Sequence, residues 1–483
     1  MAFAALAAGG GALAAEGPRI EVAEISSPAE PGARQPVFAT APDGAVWMAW
    51  WEPSPDGRTA LRCSAFDVSR LAWGPGRTIV RSPTLDPDQP AALTAGAAGH
   101  LAVACSGLGG TGPGRVLFCQ SADGGLTWSD PVLLTKESDR VYRVSLAFLA
   151  DGTVLAAWVD GRAAGPGGAA RLYFRFASGP HAGAPDWLLA ADAWSGGAPD
   201  LAAFLDGGAL LAYQDRAGET GPSLARLHGL HWQRSQPFAA AGRMPSGVSD
   251  LGPRLAVDGG RVALLWSAVA PEGPAIQAST SPDAGARFLR PKAVGFGRSA
   301  GHPDAALLHD GAVLAAWLEG GLQLRRLSPE FQVGAAVALG TAARSAEGSP
   351  RLAVARDYAG DAGSAQVLLV FAGGPTAPGL HTLLVTVPEG ALLAAASDSC
   401  NCAPTPLQLR GFSLRGTLIA AAPDGALTWE TDAVPGVLEP GRHRFFATPA
   451  VRGQLRPGDT YLARIERRGA DWWIFDARRL EEP

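Results

Sequence analysis

One pattern recurs seven times along this 483-residue chain and constrains its fold more than any other feature. A polar start, often proline, leads into an apolar strand, a glycine-containing turn and a second strand ending in an aromatic residue. The first copy reads Gln35-Pro36-Val-Phe-Ala-Thr-Ala-Pro-Asp43-Gly44-Ala-Val-Trp-Met-Ala-Trp50. Counted from Pro36, later copies begin at Pro90, Val144, Pro199, Pro253, Pro303 and Pro350, spaced 54, 54, 55, 54, 50 and 47 residues apart. Asp151-Gly152, Asp206-Gly207, Gly259-Gly260 and Asp310-Gly311 mark the same turn in four of them. Each strand pair is followed by a third strand, such as 172–177 or 275–280, and usually by a fourth. Four strands per repeat of about 50 residues is the blade of a β-propeller. The 62 Gly and 39 Pro, spread along the chain, suit many short strands joined by turns.

The expectation is therefore an all-β chain: a seven-bladed β-propeller over residues 16–393, with six blades as the alternative. The seventh copy lacks a convincing fourth strand, and residues 19–25 could supply it and close the ring. In such a blade the first strand is innermost. Its start and the end of the second strand share one face, while turns between the third and fourth strands lie on the other. Residues drawn from the first face are the candidates for a site.

Net charge is −5 with pI near 5.9, which gives no electrostatic case for nucleic acid. No apolar run reaches the length of a bilayer span. Residues 1–15 are uncharged and rich in Ala, Gly and Leu, ending Ala12-Leu13-Ala14-Ala15, like an export signal without its basic start. Either the true start lies upstream, or the segment is an apolar tail. The first option makes the protein periplasmic or secreted, and the expected assembly is a monomer.

The stretch Ser121-Ala-Asp123-Gly-Gly125-Leu-Thr127-Trp128 is a polar hairpin tip closed by an indole. Its S-x-D-x-G-x-T-W pattern resembles the Asp-box, or BNR repeat, of sialidase-like propellers. Asp283 and Gly285, in Ser281-Pro-Asp283-Ala-Gly285-Ala-Arg-Phe288, form a decayed copy, and 64–73 a fainter one. Both turns belong to the face opposite the strand starts, so their role is structural. The sialidase resemblance implies six blades, whereas the repeat count gives seven.

Arginines recur at or near the strand starts: Arg34, Arg143, Arg254 and Arg351, joined by Asp88, Asp200, His302 and Asp304. Second-strand exits add Glu52, Asp160 with Arg162, Gln214-Asp215-Arg216 and Glu319. Guanidinium groups around a channel can grip a carboxylate in planar, bidentate fashion. The same charges could equally form a solvated face paired within itself. The sialidase resemblance implies three arginines on the substrate carboxylate, a Tyr nucleophile with a Glu, and an Asp acid. Arg34-Gln-Pro36 looks like the Arg-x-Pro that opens that family's ring, with Arg254 and Arg351 as companions. Tyr142 and Tyr213 are the nucleophile candidates near the right face, and neither stands in the late blade that the family uses. The Asp and Glu have no assignable counterparts.

Residues 394–406 read as a linker carrying Cys400-Asn-Cys402. Such a C-x-C can present two thiolates to a soft ion such as Cu(I), or form an unusual disulfide or redox pair. Residues 407–483 hold five strand candidates, at 413–421, 427–430, 443–447, 461–467 and 472–477, which suits a small OB-like barrel. Arg415-Gly-Thr-Leu-Ile, Thr431-Asp-Ala-Val-Pro-Gly436 and Leu455-Arg-Pro-Gly-Asp459 resemble the small periplasmic copper-chaperone barrels. Thr431 replaces the expected His and the Met pair is missing, leaving His443 as the soft-metal candidate. Trp472 and Trp473 are expected to fill the barrel. In the propeller, Cys63 reads as a small core residue. Cys105 and Cys119 are poorly placed to bridge if the loop between their strands spans 107–113, which would set Cys105 opposite residue 115.

The leading functional reading is a non-catalytic binding protein that holds a small ligand or glycan at the channel, or a periplasmic protein, with copper handling as an extension. The alternative is an exo-α-sialidase, which would need a Tyr–Glu pair beside the arginines.

Overall fold

The computed structural model describes residues 20–388 and 412–479, except 83, 110–111, 136–140, 163–169, 194–196, 216–220, 236–251, 271–272, 298–299, 338, 340, 357–363, 423–425, 432–438, 448, 454 and 469–470. Within them lie seven separate antiparallel sheets and one closed five-stranded barrel. Contacts divide the chain into two compact units, Met1–Ser397 and Asp398–Pro483. Among the described residues no helix is long and apolar enough to cross a membrane.

The seven sheets are the blades of a propeller, numbered here in chain order. Their innermost strands are Arg34–Thr40, Ala92–Ala95, Val141–Phe148, Asp200–Ala203, Arg254–Asp258, Gly301–Leu307 and Ala346–Arg356. Each touches the next, and the seventh touches the first, so the ring is closed. The closing piece is Glu21–Ile25, which pairs with Gly379–Pro388 in register from Glu21 opposite Thr386 to Ile25 opposite Thr382. His381 Nδ1 meets Glu24 Oε1 at 2.9 Å across this pairing. Blade 1 departs from the four-strand plan: Ala72–Trp73 and Arg77–Ser82 both pair with Thr59–Asp67.

The repeats are legible because of how second strands are buried. A strand inside a blade packs on neighbouring blades with both faces, so its sequence is continuously apolar rather than alternating. Val154–Asp160 is buried at every position, and Val46–Pro53 at every position but the last. Trp50, Trp51, Trp158, Trp266 and Trp317 are fully buried. Burying one such side chain is worth roughly 1.5–3 kcal/mol by transfer, so these aromatic strand ends anchor the ring.

The two polar turns share one hydrogen-bond set. Ser121 Oγ donates to Asp123 Oδ1 at 2.8 Å and accepts from Gly125 N at 2.9 Å, and Thr127 N donates to Asp123 Oδ1 at 2.9 Å. At the second turn Ser281, Asp283, Gly285 and the N–H of Arg287 repeat these bonds. Thr127 Oγ1 adds a further bond to Asp123 Oδ2 at 2.6 Å. Four donated bonds hold the Asp123 carboxyl down at about 2, those of Thr127 foremost. Gly124 N bonds Gly99 O and Ala284 N bonds Gly260 O, tying each turn to the first-to-second strand turn of its own blade. Both turns therefore lie on the face opposite the strand starts. The 64–73 stretch is built differently: Asp67 accepts from Ser69 and Arg70.

Cys63, Cys105 and Cys119 are buried free thiols. Cys119 stands opposite Val103, and Cys105 opposite Leu117 rather than the expected residue 115, because the pairing continues to Gly109 opposite Gly112 and its register shifts between Ser106 and Leu108. Burial pushes the Cys63 and Cys119 thiols up to about 11.

The barrel runs through Phe412–Ala421, Leu427–Thr431, Gly441–Ala447, Thr460–Arg468 and Asp471–Arg479, within two residues of the expected strands at every end. Trp429 is fully buried and fills it with Leu414, Phe445, Tyr461 and Ile474. Trp472 is half-buried against that core. Trp473 instead lies 5.6 Å from Phe446, over which Arg444 stacks. Only one of that tryptophan pair thus joins the filling, because adjacent strand residues point to opposite faces.

Candidate functional site

The innermost strands line a central channel of about 1630 Å³. Each is an edge strand towards the channel, so a proline at its start removes no ladder hydrogen bond. That explains the recurring proline, and the residue after it takes a fixed place on the ring. In blades 4 to 7 that residue is Asp200, Arg254, Asp304 and Arg351, following Pro199, Pro253, Pro303 and Pro350. Charge therefore alternates in sign around half of the mouth. Blades 1 and 2 carry Val37 and Ala91 after their prolines. Blade 3 adds Arg143. Arg143 and Arg351 are 6% and 7% exposed, and Arg254 is half-buried. All five charged residues line the channel.

The aspartates also join blades. Asp200 Oδ2 in blade 4 accepts from Leu255 N in blade 5, and Asp304 Oδ2 in blade 6 accepts from Leu352 N in blade 7, each at 2.7 Å. Ser145 Oγ takes Leu201 N at 3.0 Å and Thr94 Oγ1 takes Phe148 N at 3.2 Å in the same way. An inner strand leaves one edge of N–H groups without a ladder, and these side chains satisfy them across the seams. Burial pushes the Asp200 and Asp304 carboxyls above the ordinary range, against the pull of Arg254 and Arg351. Each aspartate is half-buried at the channel wall.

Three of the four expected arginines line the channel. Arg34 does not: it is paired with Asp88 at 3.0 Å, with side chains 51% and 78% exposed. Gln35 adopts φ 53°, and the register shifts between Arg34 and Val37, which turns Arg34 away from the channel. An ion pair this exposed contributes little. Tyr142 packs over Gly161 and against the core between blades 3 and 4. Tyr213 is buried in that same core, and its hydroxyl is pushed up by burial. Among the described residues no tyrosine and no glutamate lines the channel.

The second-strand exits are used inside their blades. Trp50 Nε1 and Arg62 Nη1 bond Glu52 at 2.8 and 2.9 Å. Trp158 Nε1 bonds Asp160 at 3.1 Å, and Arg162 bridges Asp160 to Asp186. Trp317 Nε1 bonds Glu319 at 3.2 Å. His302 Nδ1 lies 3.1 Å from Ser349 Oγ at the seam of blades 6 and 7.

Cys400, Cys402 and Arg216 lie outside the described residues. His443 is half-buried on its barrel strand with Nε2 2.7 Å from Glu439 O, opposite Trp429. Among the described residues no group of three His, Cys, Asp or Glu is placed to hold a metal.

No protein-family model and no curated relative matches the sequence. Solved structures do resemble it. A protein of unknown function from Dyadobacter fermentans DSM 18053 is 14% identical, covering 77% of this chain and 99% of that one, with a TM-score of 0.42. A Hadza microbial sialidase is 16% identical over 59% of this chain and 63% of its own, with a TM-score of 0.41. A lectin from Burkholderia pseudomallei is 11% identical over 69% and 93%, with a TM-score of 0.46. Likeness at this level carries no functional conclusion.

Proposed function

We propose that this propeller is a non-catalytic binding protein whose channel mouth takes a small carboxylate-bearing ligand, such as the acidic terminus of a glycan. The observation that carries the reading is that Arg143, Arg254 and Arg351, from the inner strands of blades 3, 5 and 7, all line the channel. Three arginines against two aspartates leave one positive charge there, suited to a monoanion. A guanidinium fork matches a carboxylate in shape as well as charge. Hydrolysis by the sialidase route would need a tyrosine beside them, and Tyr142 and Tyr213 face blade cores instead.

The test is a panel of acidic glycans and small carboxylates, each with its carboxyl-reduced counterpart, offered to the immobilised full chain. Binding confined to the carboxylates and lost in Arg254→Ala supports the reading. Equal binding by the reduced compounds sinks it, and so does sialoside turnover abolished by that substitution. Copper handling rests on the Cys400-Asn-Cys402 pattern. Equal Cu(I) uptake by the reduced chain and a Cys400→Ser/Cys402→Ser variant would remove it.

A further inference from the structure

The alternation Asp200, Arg254, Asp304, Arg351 is more than an arginine cluster with neighbours. Each aspartate stands one blade from an arginine on either side or at the end of the series, at the same level of the ring. Both are fixed in place by a backbone N–H of the next blade, so neither can swing away when a ligand arrives. An anion placed on Arg254 and Arg351 therefore arrives beside two carboxylates that cannot retreat.

We propose that Asp200 and Asp304 are specificity-determining residues which make this mouth bind an anion together with a proton. The inference rests on the anion-binding reading above and adds a second ligand to the same site. With both carboxylates ionised, Arg254 and Arg351 are largely neutralised and an incoming anion meets like charge. With one protonated, that repulsion falls and the guanidinium it opposed is left to the ligand. No bond is made or broken beyond the transfer of a solvent proton to a carboxylate oxygen. Bound anion and bound proton must then strengthen one another equally.

The charged groups facing the two aspartates are consistent with this sign. Asp200 faces Arg254, Asp304 and Arg351, and Asp304 faces Arg351 and Arg254. Arg143 comes from blade 3 on the Asp200 side, and it stays charged at all relevant pH. His302, two residues before Asp304 and bonded to Ser349, is the other titratable group there. Burial already lifts both carboxyls above the ordinary carboxylate range, so each takes up a proton more readily than a solvated aspartate does.

Inorganic sulfate is the probe, because its charge stays constant between pH 4.5 and 7. Calorimetric titration of the full chain, in buffers of different ionisation heat, reads affinity and proton uptake together. The expected result is binding tighter at pH 4.5 by about threefold to tenfold, the effect of one like charge brought near a carboxylate, with net proton uptake. Asp200→Asn and Asp304→Asn keep an oxygen for the N–H of Leu255 and Leu352. The double variant should bind at pH 7 about as tightly as the wild type at pH 4.5, and take up no proton. If those variants retain the wild-type pH dependence, His302 is the titrating group and the inference is overturned. Sulfate binding that depends on Arg254 but is flat with pH also overturns it, leaving the anion site standing. No sulfate binding at either pH overturns the anion site itself.

Discussion

Replacing Asp304 tests whether the channel mouth is held by seams between blades. Its Oδ2 accepts from Leu352 N at 2.7 Å, where the inner strand of blade 7 has no ladder partner. Asp304→Ala orphans that N–H at a cost of about 1–3 kcal/mol. Over residues 20–388, an unfolding entropy of about 2.1 cal/mol/K per residue gives ~0.8 kcal/mol/K, so Tm should fall by roughly 1–4 °C. Asp304→Asn keeps the acceptor oxygen and removes a carboxylate that burial disfavours. The Asp304 carboxyl sits above its ordinary 3.8, so the folded state holds this proton where the unfolded chain releases it. That contribution is fully present below about pH 3.8 and is lost as pH rises through the folded value. Relative to wild type, Asp304→Asn should therefore gain stability between pH 4 and 7. Thermal unfolding of the full chain at both pH values measures all three proteins. Equal loss in the Ala and Asn variants at pH 7 would refute the seam argument, since only one of them removes the acceptor.

The turn glycines give a second test. Gly285 has φ +81°, and a Cβ there would sit 2.8 Å from Leu210 in blade 4, whereas Gly44 has φ +86° and open space. Gly285→Ala should cost roughly 2–4 kcal/mol and Gly44→Ala only about 1–2 kcal/mol in chemical denaturation. A third concerns ring closure. Burial opposes the charged form of His381, but the bonds to Glu24 and Ala377 O outweigh it and its pKa is raised. The closing strand should thus be held fully below about pH 6.5 and loosen as pH rises through the raised value, seen as faster amide exchange at Glu21–Ile25. Because Glu24 is exposed, the change should stay below about 1 kcal/mol, and Glu24→Gln should flatten it.

Much of the architecture was legible because burial writes itself into the repeats. Trp50, Trp158, Trp266 and Trp317 stand in second strands that are enclosed on both faces, and the strand starts before them, from Pro36 to Pro350, let the spacing of about 50 residues be counted. The closing role of the segment before Ile25 followed from the missing fourth strand of the last repeat. The site was only half legible. Arg143, Arg254 and Arg351 stood at strand starts, but so did Arg34, and the bulge at Gln35 that removes it is a backbone conformation no residue type there demands. Tyr213 ends a second strand, a place expected to face the mouth, yet it packs in the core between blades 3 and 4. The alternating Pro-Asp and Pro-Arg pairs were present in the sequence. Their meaning needed the cross-blade bonds to Leu255 and Leu352, which join residues about 50 apart.

The most direct measurement of the central claim is anomalous diffraction from crystals of the full chain soaked in bromide, with and without glucuronate as competitor. The account predicts a bromide peak within hydrogen-bond reach of at least two of Arg143, Arg254 and Arg351, displaced when glucuronate is added. Bromide found elsewhere on the propeller while that mouth stays empty would contradict it.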